Sequence, residues 1–196
     1  MGVRRVPALP PPGPGLHSRR PVLDGAAVTE PRYRLTCGFE EADRAAVVAL
    51  LREYEQGTGV SLCFQGFAAE LAGLPGDYGP PGGQMILARR AGDPGVLAGC
   101  VALRPVPGSP AACEMKRLYV RGEARGSGLG RTLALAAMAE ARRLGYTRMC
   151  LDTLPTMTAA QALYRALGFR HTGVAASDPP VLLFERELDG GPAPAP

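Results

Sequence analysis

The chain of 196 residues has one lysine, two histidines, and no apolar run approaching the roughly 20 residues of a membrane span. The arginines at its start are followed by no apolar core, which argues against a secretory signal. Its five cysteines (Cys37, Cys63, Cys100, Cys113, Cys150) are odd in number and contain no CxxC pair. Neither a disulfide framework nor a zinc site is expected, no metal is assigned, and the reducing cytoplasm is the expected compartment. His17 and His171 have no partners at suggestive spacing, which argues against Ser/Cys–His chemistry. Charge excess is also missing from most of the chain. The six arginines of residues 1–34, opposed only by Asp24 and Glu30, carry the whole net charge of +4. The remainder is balanced, so a nucleic-acid partner is not expected, nor is a membrane partner.

Punctuation divides what is present. Residues 1–31 are rich in proline, glycine and arginine and follow neither the helical nor the strand period, so a disordered leader is expected there. Residues 190–196 read as a flexible tail, leaving one domain over 32–189. Within it, strands are predicted at 33–37, 85–88, 96–106, 112–120, 149–154, 169–174 and 181–188. Helices are predicted at 40–56, 64–72, 128–144 and 158–167. The order β-α-α-β-β-β-α-β-α-β-β implies an α/β domain with a mixed sheet and helices on both faces.

The stretch from Arg125 to Arg131, RGSGLGR, sits between a predicted strand and a predicted helix. Backbone N–H groups bared by glycine at a helix start form an anion cradle; a glycine-rich turn without a ligand is the plain alternative. Lys116 lies upstream of the loop, so no lysine follows its last glycine and a Walker A loop is excluded. Arg131, or Leu133 in the shifted frame, stands where a dinucleotide fingerprint needs its third glycine. Arg125, Gly128 and Gly130 fit the third device, the Arg/Gln-x-x-Gly-x-Gly/Ala loop of acyl-CoA-dependent acetyltransferases.

Upstream of the loop stands Cys113-Glu114-Met115-Lys116-Arg117-Leu118-Tyr119-Val120. Downstream come Leu151-Asp152-Thr153-Leu154 and the run from Ala160 to Phe169, AQALYRALGF. Together these resemble the GNAT superfamily of N-acetyltransferases, most tightly over 112–171 and by strand order over about 33–188. The resemblance implies a single GNAT domain with a mostly antiparallel sheet whose fourth and fifth strands splay. It implies acetyl-CoA as co-substrate, with the pantetheine arm along Leu118, Tyr119 and Val120. The pyrophosphate would lie on Arg125, Gly126, Ser127, Gly128, Leu129, Gly130 and Arg131. Glu114 is implied as general base, directly or through a water, and Tyr164 as the acid beside the sulfur. The plainer readings are an ion pair of Glu114 with Lys116 or Arg117, and a helix-packing role for Tyr164. Asp152 reads as a strand end. Where many relatives carry an asparagine for the pantetheine arm, this chain has Met157, and Thr156 or Thr158 is left to substitute.

The implied activity is acyl transfer, in the class of acyltransferases moving groups other than amino-acyl groups. An acetyl group would pass from coenzyme A straight to a primary amine on a small molecule or peptide, the protein being a monomer or homodimer. The alternative is a non-catalytic acyl-CoA-binding sensor or interaction domain. The acceptor would be set by about residues 39–83 and the last strands. Phe64, Phe67 and Tyr78 are candidates there, with core packing the simpler role for the two phenylalanines.

Overall fold

The computed structural model describes residues 32–62 and 66–188. The leader, the tail, Cys63 and Phe64 lie outside these residues. The elements are β1 (Tyr33–Cys37), α1 (Arg44–Thr58), α2 (Phe67–Ala72), β2 (Gln84–Arg90), β3 (Asp93–Val106), β4 (Ser109–Val120), α3 (Leu129–Arg143), β5 (Arg148–Thr153), α4 (Thr158–Ala166), β6 (Arg170–Ala175) and β7 (Val181–Glu187). The order matches the one expected. The seven strands form one sheet, β1-β2-β3-β4-β5-β7-β6, in which β4 and β5 are the parallel pair and every other ladder is antiparallel.

Boundaries moved where turn chemistry competed with periodicity. A single 3-10 turn (Glu41–Asp43) precedes α1, which runs two residues past the predicted end and stops at Gly59, φ 71. β4 begins at Ser109 rather than Ala112, because Pro107 and Gly108 (φ 74) suffice to turn the chain. Pro110 is tolerated within the first turn-flanking positions of that strand, as strand ends allow.

Alternation along the central strands builds two cores. Ile86, Ala88, Val101, Leu103, Cys113 and Met115 face α3 and α4, joining Leu133, Ala137, Met138 and Phe184. Met85, Leu87, Cys100 and Ala102 face the other way, onto Val47, Leu50 and Leu51 of α1 and Phe67 of α2. A sheet covered on both faces needs apolar residues at both parities, so β2 and β3 read as continuous apolar runs. Cys100 and Cys113 are buried as expected, whereas Cys37 is exposed. No described helix is long and apolar enough to cross a membrane.

Helix α3 meets the sheet through Leu129, Leu133 and Ala137, spaced four apart on one face. Leu133 is fully buried. Leu133→Ala should lower the unfolding free energy by about 2–5 kcal/mol, through lost transfer energy plus the cavity left behind. Urea denaturation monitored by circular dichroism measures it.

Candidate active site

The β4–β5 ladder holds three pairs, Ala112 with Arg148, Cys113 with Met149 and Glu114 with Cys150. Beyond Glu114 the strands part. β4 continues along β3 as far as Val120, while β5 continues along β7 as far as Thr153. A cleft of about 500 Å³ fills the gap, lined on one side by Leu118, Tyr119, Val120, Arg125 and Gly130. The facing wall comes from α4 and its approach, including Thr156, Met157, Thr158, Leu163 and Tyr164.

A bulge in β4 shapes one wall. Cys100 pairs with Tyr119 and Ala102 with Lys116, so Arg117 and Leu118 together oppose Val101. Arg117 takes φ 56, a left-handed conformation that costs a non-glycine residue of order 1–3 kcal/mol. Its side chain, 2% exposed, explains why the strain persists. It donates to Glu70 from Nε (2.7 Å) and Nη2 (2.6 Å) and lies 5.0 Å over the Phe67 ring. Burial opposes its charge, yet the Glu70 hydrogen bonds hold the guanidinium above its ordinary pKa. Phe67 is thereby a core residue under Arg117, and Tyr78 is buried in the same core.

The loop ahead of α3 is held from within. Ser127 Oγ donates to the Ala124 carbonyl (2.6 Å), and Arg125 Nε donates to the Val120 carbonyl (3.1 Å) with its guanidinium 5.9 Å over Tyr119. Gly128 caps the helix at φ 82 with no side-chain cap bond. The first intrahelical donor is Thr132 N–H, to Gly128 O (3.1 Å), so the amides of Leu129, Gly130 and Arg131 form the open N-terminus. A Cβ on Gly130 would stand 3.7 Å from Val120 and 3.8 Å from Leu163, so any longer side chain would grow into the cleft. Leu129 instead turns its side chain into the core, and Arg131 is exposed.

Tyr164 owes its place to a C-cap. Gly168, φ 83, lets its own N–H bond Arg165 O (2.9 Å) and the Phe169 N–H bond Tyr164 O (3.0 Å), the Schellman pattern. The hydrophobic contact that accompanies this cap is the Tyr164–Phe169 ring pair at 6.0 Å, with Phe184 at 6.1 Å on the other side. Burial, then Tyr54 and Asp152, raise the Tyr164 pKa above the ordinary phenol value, so the hydroxyl stays protonated at neutral pH.

Glu114 stands at the fork, where both plain alternatives were open; its partners are Arg104 and Lys116. Arg104 closes on Oε2 with Nε (2.7 Å) and Nη2 (2.6 Å), while Lys116 Nζ lies 3.5 Å from Oε1. Lys116 also reaches Asp152 Oδ1 at 2.5 Å. Asp152, read from sequence as a strand end, lines the deep part of the gap with Tyr54, Lys116, Arg117, Met157 and Tyr164. Glu114 lines neither part. Sequence reading therefore missed Arg117, Lys116 and Asp152. For Lys116 and Asp152 the available signal was period-two placement, with Glu114 on β4 and with Cys150 on β5, whereas Arg117 sits in the bulge and breaks that period. Burial pushes the Cys150 thiol up to about 11 and Cys113 to about 12, which leaves both uncharged and poorly nucleophilic. His171 packs at 5.4 Å from the Phe184 ring and is not among the cleft residues.

The acetyltransferase (GNAT) family profile matches residues 45–169. The chain belongs to the GNAT family. An uncharacterized N-acetyltransferase of Schizosaccharomyces pombe is 46% identical over 123 residues, 63% of this chain and 74% of its own length. The uncharacterized N-acetyltransferase YjgM of Escherichia coli is 40% identical over 78 residues, 39% of this chain and 47% of its own. Among solved structures, a GNAT acetyltransferase from Staphylococcus aureus superposes with a TM-score of 0.66 at 16% identity, covering 80% of this chain and all (100%) of its own. That likeness shows the fold. The GNAT chain is accordingly an acyltransferase of the N-acetyltransferase kind.

Removing Glu70 takes away the carboxylate that holds a buried guanidinium. Glu70→Ala should destabilise the GNAT domain by about 3–5 kcal/mol, and Arg117→Met added to it should recover much of the loss. Thermal denaturation of the two variants beside the parent measures this.

Proposed function

We propose that the protein moves an acetyl group from acetyl-CoA directly to the primary amine of a small molecule or peptide. The observation that carries the reading is the early end of the β4–β5 ladder. An arm with two amides needs an unpaired strand edge, and the backbone from Leu118 to Val120 borders the gap. The open amides of Leu129, Gly130 and Arg131, together with Gly126, Ser127, Gly128 and Arg125 in the same loop, suit a pyrophosphate at the mouth. The lack of a side chain on Gly130 supports the fit. Thr156 and Thr158 border the cleft beside Met157 and can supply the hydrogen bonds that a methionine cannot.

The amine must lose a proton before it attacks, since an alkylamine is largely protonated at neutral pH. Its nitrogen then adds to the thioester carbonyl, the C–S bond breaks, and sulfur leaves with the electron pair. Tyr164, kept neutral by burial, gives that sulfur its proton. Glu114 is proposed to serve the basic side of the reaction. Because Arg104 occupies Oε2 and the residue does not line the cleft, its contribution passes through an intermediary. Uncharged Cys113 and Cys150 thiols support direct transfer over a covalent acyl-enzyme.

Calorimetry should detect acetyl-CoA binding, and thiol release should appear with at least one member of a panel of alkylamines, amino acids and peptides. Tyr164→Phe should lower kcat about 10²-fold with acetyl-CoA affinity unchanged. Gly130→Leu should do the reverse, weakening acetyl-CoA binding in a domain that still folds. Binding without turnover across the panel indicates a non-catalytic acyl-CoA-binding domain. Absence of both binding and turnover rejects the proposal.

A further inference from the structure

The cleft does not end at Tyr164. Leu118, Met157 and Tyr164 border both the cleft of about 500 Å³ and a smaller niche beyond it, so the two spaces meet at these three side chains. The niche measures about 30 Å³, and its further lining includes Tyr54, Lys116, Arg117, Asp152, Leu154 and Val181. A water-sized group needs roughly 10–15 Å³, so the niche has room for about two.

Two of the lining residues have no other evident place in the fold. Leu154 and Val181 are each 6% exposed, yet neither belongs to either of the two cores. They follow on from the last β5–β7 pair, Thr153 with Leu182, Leu154 just past β5 and Val181 opening β7. The backbone there is held twice. Leu154 O accepts from the Met157 N–H (3.0 Å) and from Gln161 Nε2 (3.3 Å). A close-packed wall tied in this way transmits strain rather than yielding when a larger group presses on it.

The direction of the cleft decides what enters the niche. On the acyl-CoA reading, the pantetheine arm runs along β4 from the loop amides towards Tyr164, and the sulfur stops beside that hydroxyl. The acyl group is the next part of the molecule, and it lies beyond Tyr164. An acetyl group, a methyl and an oxygen on one carbon, matches the room there. Each further methylene needs space that the niche lacks. It would also press on Lys116, Arg117 and Asp152, largely buried charges to which an alkyl chain offers no hydrogen bond.

We propose that the niche is the acyl seat, and that Leu154 and Val181 are the specificity-determining residues that close it to chains longer than acetyl. The inference rests on the acyl-CoA reading and extends it from the arm of the donor to the group the arm carries. Size and polarity act in the same direction, since a longer chain meets both a fixed wall and charges it cannot satisfy.

The test uses the full chain with acetyl-, propionyl- and butyryl-CoA. Thiol release is measured with the best amine of the panel, and affinity for the same three compounds by calorimetry. In the parent, kcat/KM should fall about 10–200-fold for each added methylene, and butyryl-CoA should bind at least about tenfold more weakly than acetyl-CoA. Leu154→Ala should narrow the gap between butyryl- and acetyl-CoA by about tenfold or more. A purely structural defect lowers both rates together and leaves their ratio alone. Equal use of butyryl- and acetyl-CoA by the parent overturns the proposal. So does a folded Leu154→Ala whose ratio stays at the parent's value. If Leu154→Ala does not fold, Val181→Ala decides by the same ratio, and a parental ratio there overturns the assignment. A parent that binds acyl-CoA but acylates no amine removes the transferase reading alone. The affinities then decide, and butyryl-CoA bound as tightly as acetyl-CoA overturns the acyl seat. A parent that binds none of the three compounds removes both readings.

Discussion

Strands β4 and β5 hold each other by three residue pairs and then diverge, and the arrangement of the cleft follows from that divergence. Each strand still satisfies its outer edge, β4 on β3 and β5 on β7, so the backbone groups left over all face one another across the gap. Unpaired backbone polar groups are costly when dry, so such a gap calls for a guest that can hydrogen-bond as a strand does. The bulge at Arg117 reinforces it by spending an extra residue where the strands begin to part. The ion pair with Glu70 holds that bulge in a conformation the backbone would otherwise leave.

Two local devices then furnish the gap. A glycine-capped helix start brings open N–H groups to one end, and a Schellman cap swings Tyr164 against Phe169 and Phe184 at the other. Between them runs the row from Arg104 to Asp152, neutral as a whole and polar at each step. Lys116 and Asp152 from that row line the deep part of the gap together with Arg117.

Much of this was legible in the chain because local rules set it. The order of elements follows from periodicity, and the loop and the Leu-Tyr helix follow from glycine placement and motif spacing. The roles of Lys116, Arg117 and Asp152 were not legible, since they depend on which strands become neighbours and where their ladder stops. Residue types alone make Asp152 a strand end and Glu114 a strand carboxylate. Only the register, which pairs Glu114 with Cys150 and leaves Asp152 past the fork, separates a group that borders the cavity from one behind it. The start of α1 and the early start of β4 escaped for a simpler reason: one 3-10 turn and a two-residue turn are decided by a few backbone angles.

The tie between α4 and β7 has a mechanical consequence. Arg186 of β7 donates to the Leu167 carbonyl at the end of α4 and lies 3.4 Å from where a Cβ on Gly168 would be. Tyr164 is therefore fastened to the β5–β7–β6 plate, whereas the loop amides and Arg117 belong to the β1–β4 plate. Among the described residues, the three β4–β5 pairs are the only ladder between these plates. The walls of the gap are thus joined beneath it as well, because Met149, Leu151, Tyr164 and Phe184 share one core with Val101, Met115 and Leu133.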